Sequence, residues 1–147
     1  MNLDDMQQIA NRVVGQRFTA GFDSLNARDR VFFLIWAHGG QVANGGHISL
    51  FYNSSADLYS ETLDALRLIG LPQHAALLER AGTLLFGDHV PRDMERRNRI
   101  LDEIPGGDAS CEEDEELDAI DAAFYASGGS DRELEALDRW YHAQQES

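Results

Sequence analysis

One short segment sets the architecture of this chain: Asn44-Gly45-Gly46-His47-Ile48-Ser49-Leu50-Phe51-Tyr52-Asn53-Ser54-Ser55. Gly45 and Gly46 can take positive φ without a Cβ penalty, so they predict the end of a preceding helix. The aromatic pair that follows needs cover from other parts of the chain. Ser54 and Asp57 then resemble a capping box, which predicts a new helix. We interpret the segment as a structural corner that holds two helices against one core.

A phosphate-binding loop is the alternative for a glycine pair. The sequence has neither the P-loop spacing nor its Lys, and it contains no Lys at all. This alternative is therefore poor.

Apolar residues recur at helical spacing on both sides of the corner. They predict a first helix from about Leu3 to Phe18 and a central second helix that is capped by Asn26 and carries Val31–Trp36. Later helices are predicted to begin near Pro72 and Pro91, and Ser130 with Glu133 predicts a capping box for the last one. No segment alternates like a strand. The prediction is an all-α fold of about seven helices in one compact domain, residues 1–147, with an N-terminal helix and connection in 1–26.

The helix after Pro91 has a dense charged face that could suggest nucleic-acid binding. Its charges fall at i,i+4 spacing, in the pairs Asp93–Arg97, Glu95–Arg99 and Arg99–Glu103. Such spacing favours a solvated face of intrahelical ion pairs, and we expect no direct contact with nucleic acid.

The formal net charge of −14 is concentrated in the last third of the chain. Residues 1–100 hold 11 acids and 10 Arg, whereas residues 101–147 hold 15 acids and 2 Arg. A field of this sign repels nucleic acid and acidic membranes and attracts basic partners. The longest apolar run, Val31–Ala37, is far shorter than the ~20 residues of a membrane span.

An acidic run lies within this last third, after a linker, so that residues 108–116 form an acidic linker and helix start. The candidate partner-binding residues are Glu112, Glu113, Asp114, Glu115, Glu116, Asp118 and Asp121. As a helix, ten residues span ~15 Å, which gives about one acid every 2 Å. Duplex DNA carries about one charge per 1.7 Å of axis. The run is equally consistent with a solvated surface that only keeps the protein soluble.

No metal or cofactor is predicted. Asp108, Ser110 and Glu112 match the first alternate positions of a calcium loop, but its required glycine and its closing glutamate are missing. The five histidines show no zinc-type spacing. The single Cys111 cannot form an internal disulfide and has acidic neighbours, so it is a poor nucleophile.

An enzyme is the competing hypothesis. His38 and His47 could converge with Asp57 near the glycine corner, although two histidines at a helix end explain the pattern as well. Because no catalytic constellation stands out, we predict that the chain is not an enzyme.

The corner also carries a family resemblance. Asn44-Gly45-Gly46, then Phe51-Tyr52-Asn53-Ser54, then a helix with Glu61-Thr62 that ends at Ile69-Gly70, resembles the bacterial DNA-mimic protein family. The resemblance runs from roughly residue 27 to residue 141. It implies an acidic all-helical fold that can present carboxylates as DNA presents phosphates. The matching motif is the corner of the fold and not a binding site.

These observations lead to a functional expectation. We predict an acidic binding protein that occupies the DNA-binding face of a basic partner, such as a transcription factor or a nucleoid protein. An immunity or antitoxin-type protein that neutralises a basic toxin is a close variant. The lone cysteine and the acidic start without a signal-peptide pattern predict a cytoplasmic protein. The sequence leaves a homodimer open.

Overall fold

The computed structural model describes residues 2–103 and 112–145, except for the side chains of residues 112–114 and 145. These residues form seven α-helices: α1 (Leu3–Ala20), α2 (Ala27–Phe51), α3 (Tyr59–Leu68), α4 (Pro72–Phe86), α5 (Met94–Glu103), α6 (Glu112–Ala126) and α7 (Gly129–Gln145). Short 3₁₀ helices occur at Phe22–Ser24 and Ser54–Leu58. The described residues contain no strand, which confirms the predicted all-α class.

Buried apolar side chains from all seven helices form one core cluster. Within the described ranges, no helix combines the length and the apolarity that crossing a membrane demands.

Helix α2 is the centre of the fold, and most of its apolar residues are buried. Asn26 caps it as predicted, because its side chain accepts the backbone N–H of Asp29 at 2.8 Å. The carboxylate of Asp29 is itself buried. It accepts hydrogen bonds from Arg12 of α1 at 2.8 Å and from the hydroxyl of Tyr141 of α7 at 2.9 Å. This contact ties three helices together at the N-terminal end of α2.

The glycine pair interrupts α2 as predicted, because neither glycine has helical φ and ψ and the first regular segment of the helix ends before them. The helix kinks at Gly45 and Gly46 and then resumes up to Phe51. Gly46 has the expected positive φ of 78°, but Gly45 has a φ of −154°. Phe51 is fully buried as expected, whereas Tyr52 keeps 37 % of its surface exposed.

The predicted capping box at the corner is also absent. Neither Asn53 nor Ser54 caps the following 3₁₀ helix with its side chain. The carboxylate of Asp57 instead accepts a hydrogen bond from Arg97 at 2.8 Å.

Arg97 is the main correction to the predicted charged face of α5. Its side chain is fully buried, whereas the sequence pattern placed it in an intrahelical pair with Asp93. Among the described residues, none of the three predicted i,i+4 pairs of α5 forms. Helix α5 also begins at Met94 rather than at Pro91.

Helices α3 and α4 pack against each other. Pro72 occupies the first turn of α4, where a missing N–H has no cost, and Gly87 ends the helix at a φ of 78°.

Helices α6 and α7 complete the core: α7 packs mainly against α2, and α6 packs against α4 and α2. The buried residues of α6 are Leu117, Ile120 and Phe124. The predicted capping box of α7 is wrong, because Ser130 lies inside the helix and the carboxylate of Glu133 is buried against two histidines.

Candidate functional site

The acidic run folds as the N-terminal half of α6. Leu117 and Ile120 turn to the core, and the side chains of Glu115, Glu116 and Asp118 are exposed to solvent. The side chains of Glu112, Glu113 and Asp114 lie outside the described residues, although their backbone belongs to α6.

The three exposed acids of α6 have no cationic partner within the described part of the chain. Other acids do: Glu61 pairs with Arg92 at 2.6 Å, and Glu79 pairs with Arg67 at 2.7 Å. The carboxylates of α6 therefore remain available to a partner.

Asp121 does not belong to this exposed set, although the sequence placed it in the acidic run. Its side chain is only 24 % exposed. One carboxylate oxygen accepts the backbone N–H of His47 at 3.0 Å and the ring Nδ1–H of the same residue at 2.6 Å. Asp121 thus anchors α6 to α2.

The anchor explains the glycine at position 46. A Cβ built on Gly46 would collide with the carboxylate of Asp121, and the positive φ of this residue disfavours any side chain as well. Close by, the hydroxyl of Tyr125 donates to the carbonyl of Ala43 at 3.3 Å. The corner predicted from the sequence therefore also fixes the orientation of the acidic helix α6, because it binds Asp121 and Tyr125 of that helix.

Next to the contact between Asp121 and His47 lies a buried cluster of imidazoles and a carboxylate. Glu133 is 1 % exposed and accepts from Nδ1 of His38 at 2.8 Å and from Nδ1 of His74 at 2.6 Å. Burial by itself raises the pKa of Glu133, but the two histidines outweigh it and hold the pKa of this carboxyl below its usual value. Burial also lowers the pKa of His47 below its usual 6.5, although Asp121 opposes the shift. The cluster joins α2, α4, α6 and α7.

These contacts correct the arrangement considered for an enzyme. His38 and His47 are neighbours, with ring centroids 6.2 Å apart, but Asp57 is bound to Arg97 instead. Both histidines are also fully buried in the core, and His47 directly follows the kink at Gly46.

Ser127, His74 and Glu133 are hydrogen-bonded in the order of the serine–histidine–carboxylate triad of hydrolases. His74 contacts Glu133 through Nδ1 and the Ser127 hydroxyl through Nε2, the latter at 3.0 Å. However, the hydroxyl of Ser127 also lies 3.0 Å from the carbonyl of Phe124 and donates to it. The hydroxyl is thus shared between the imidazole and this carbonyl at equal distances, and the three residues fasten the end of α6 to α4 and α7.

One group in the described part could hold a metal ion, namely Asp5, Asp138 and His142. The imidazole of His142 lies between the two carboxylates, with Nε2 at 3.0 Å from Asp5 and Nδ1 at 3.0 Å from Asp138. Since each ring nitrogen faces a different carboxylate, the geometry fits an ion pair between α1 and α7.

A groove of about 460 Å³ runs beside the exposed acids, between α4 and α6. Its lining combines the apolar residues Ala76, Leu84 and Ile120 with the charged residues Glu79, Arg80 and Glu116. A partner could therefore place the aliphatic part of a side chain next to the carboxylates.

Several residues of this site were missed from the sequence, although a signal existed. Arg97 lies four residues before Leu101, and Glu133 lies four residues before Leu137, so both charged residues fall on inward-facing stripes. A charge at a stripe position indicates a buried ion pair or hydrogen-bond network.

The fold and this surface define a class: an acidic all-α protein whose glycine corner orients a carboxylate-bearing helix. Residues 23–145 match the family model described as DMP19-like protein, after DNA mimic protein 19, and the chain belongs to this family. The match confirms the family resemblance drawn from the corner. No curated protein and no solved structure matches the chain.

Proposed function

We propose that this protein is an acidic binding protein that imitates the charge of duplex DNA and occupies the DNA-binding face of a basic partner, such as a transcription factor or a nucleoid protein. It would act by binding and not by catalysis. The observation that carries the proposal is a set of exposed carboxylates on α6, at Glu115, Glu116 and Asp118, that have no cationic partner among residues 2–103 and 112–145.

The spacing of the charges supports this proposal. Neighbouring residues of a helix are ~1.5 Å apart along its axis, so Glu115 and Asp118 are separated by roughly 4.5 Å. Without Asp121, the run holds six acids in the seven residues from Glu112 to Asp118, which gives roughly one charge per 1.8 Å of helix axis, close to the ~1.7 Å of duplex DNA.

Rigidity is the second support. A DNA mimic benefits from charges that are already in place, because ordering flexible side chains and segments on binding costs free energy. Helix α6 is held by the contact of Asp121 with His47 and by the burial of Ile120 and Phe124. The charges of α6 are thus displayed on a fixed support.

Family membership is the third support, since the family is named after a DNA mimic. The partner itself follows only from chemistry. It should present Arg and Lys side chains at the spacing of DNA phosphates, and its complex should weaken steeply as salt rises.

The experiment begins with capture of partners from a lysate of the native host at low and at high salt. Binding of the captured basic protein is then measured with the wild type and with the variant Glu115→Gln/Glu116→Gln/Asp118→Asn. A matched control, Asp23→Asn/Asp64→Asn/Glu95→Gln, removes the same charge from exposed positions of other elements.

We expect the α6 variant to associate at least about tenfold more slowly, because steering by charge acts mainly on the association rate. The control should associate nearly as fast as the wild type. Duplex DNA should compete with the protein for the partner. Unchanged affinity of the α6 variant at low salt, or simultaneous binding of protein and DNA to the partner, would contradict the proposal.

A further inference from the structure

Helix α1 exposes large apolar side chains in a row. Leu3, Val14 and Phe18 are 62 %, 37 % and 82 % exposed. Together with Gln7 and Asn11 they recur at spacings of three or four residues, which places them on one face of the helix. No charged residue belongs to this stripe.

The stripe is separate from the face that α1 turns to the core, which carries Met6, Ala10 and Val13. In the middle of the stripe, the side chain of Gln7 donates to that of Asn11 at 2.9 Å. The stripe thus has apolar ends and an amide centre, and no described element of the chain covers it.

Electrostatics favours a second copy of the chain on this helix. Two molecules with a net charge of −14 repel each other, but α1 contains two Asp and two Arg and is neutral. It packs at the Asp29 end of α2, whereas α6 is anchored at His47, roughly 27 Å further along that helix.

The two apolar ends of the stripe, Leu3 and Phe18, can pair with each other across a two-fold axis. In an antiparallel pair of α1 helices with a two-fold axis between Ala10 and Asn11, Leu3 of one copy faces Phe18 of the other. Gln7 then faces Val14, and the two Asn11 amides meet at the axis, where a polar residue fixes the register.

We infer that α1 is a self-association surface that joins two copies of this chain as an antiparallel helix pair. The helix lies outside residues 23–145, the part of the chain that matches the family. The pair leaves the acidic helix of each copy exposed. One helix pair is small beside the ~1,200–2,000 Å² of a stable interface, so association depends on concentration in the micromolar range or above.

The first test is sedimentation of the full-length protein from about 1 to 500 µM, at low and at high salt. The wild type shifts from monomer to dimer within this range. Phe18→Ser weakens the dimer at least tenfold. The control Leu68→Ser, which changes an equally apolar and 58 % exposed residue of α3, leaves it unchanged.

Salt separates this surface from the acidic one. The affinity of the two copies for each other stays constant or rises with salt, because screening reduces the repulsion between them. The affinity for a basic partner falls with salt. The dimer and the binding of a basic partner can therefore be confirmed or refuted independently of each other.

The second test fixes the register by disulfide cross-linking in a Cys111→Ser background. Asn11→Cys lies at the two-fold axis and cross-links the dimer. Phe18→Cys alone does not, since its two copies are roughly 22 Å apart along the pair. Adding Leu3→Cys to Phe18→Cys restores the cross-link.

A protein that stays monomeric at all concentrations overturns the inference. So does a dimer that Phe18→Ser leaves intact, or a cross-link through Phe18→Cys alone.

Discussion

Arg97 shows how a single buried charge can organise the corner. Its guanidinium donates to the carbonyls of Phe51, Asn53, Pro91 and Arg92 at 2.7–3.0 Å. A planar fork of five N–H donors satisfies these carbonyls and a carboxylate at once, which an ammonium cannot do.

Arg97→Lys is therefore expected to destabilise the protein by about 3–5 kcal/mol, because it leaves buried carbonyls unpaired and a charge poorly solvated. Arg96→Lys, at an exposed neighbouring position, should stay within about 0.5 kcal/mol. Urea unfolding at pH 7 measures both. Similar stabilities of the two variants would show that the carbonyls find other partners.

His47 makes stability depend on pH with a definite sign. Since burial lowers its pKa in the folded protein below the 6.5 of an unfolded chain, the unfolded state binds a proton first as the pH falls. The contribution of His47 to the free energy of unfolding is therefore fully present above pH 6.5 and declines as the pH drops below that value.

His142 has the opposite sign. The carbonyl of Asp138 and the nearby carboxylates raise its pKa, so its contribution is complete below pH 6.5 and is lost as the pH rises through its folded pKa. Its ring is 41 % exposed, which makes the effect small.

We expect His47→Asn to flatten the loss of stability between pH 7.5 and 5, and His142→Gln to steepen it. The measurement is the urea midpoint as a function of pH, compared by slope because either substitution shifts the absolute value. An unchanged slope in His47→Asn would mean that this imidazole takes up a proton as readily in the folded protein as in the unfolded chain.

At the scale of elements, the corner and α6 behave as one unit. The kink in α2 brings the backbone of Gly46 against Asp121, and this contact sets the direction of the acidic helix.

Gly46→Ala is expected to cost at least about 1–2 kcal/mol, because Ala is unfavourable at positive φ and its methyl group collides with Asp121. Gly40→Ala is the matched control. Its Cβ would meet no atom within 4 Å, and Ala in a regular helix gains about 0.5–1 kcal/mol over Gly. Thermal unfolding compares the two, and equal destabilisation by both would contradict the role of the anchor.

At the scale of the whole molecule, charge is the dominant feature. The net charge of −14 opposes the compact state, and the acidic run is where like charges lie closest. Like-charge pairs at i,i+3 and i,i+4 each cost roughly 0.2–0.5 kcal/mol.

Stability should therefore rise, by about 1 kcal/mol, between roughly 0.01 M and 0.3 M salt, as the screening length shortens. The variant Glu115→Gln/Glu116→Gln/Asp118→Asn should show a smaller rise. Chemical unfolding in urea at each salt concentration tests this. A fall in stability with salt would instead indicate that ion pairs such as Arg92–Glu61 dominate.

The sequence by itself determined the elements of this protein. Stripes at helical spacing predicted the helices, Asn26 predicted the start of α2, and Pro72 predicted the start of α4. These features depend on residues that are near one another in the chain, so local chemistry suffices to predict them.

Only the tertiary structure decided where the charges lie. Arg97, Asp121 and Glu133 all looked like exposed or capping residues, and each proved to be a link between distant elements. Their carboxylate and imidazole partners are 40 to 95 positions away in the sequence. A charge is stable in the interior only where other elements bring hydrogen-bonding groups to it, and no local pattern contains that information. Exposure of Glu115, Glu116 and Asp118 was decided in the same way, by the anchor that turns one face of α6 to the core.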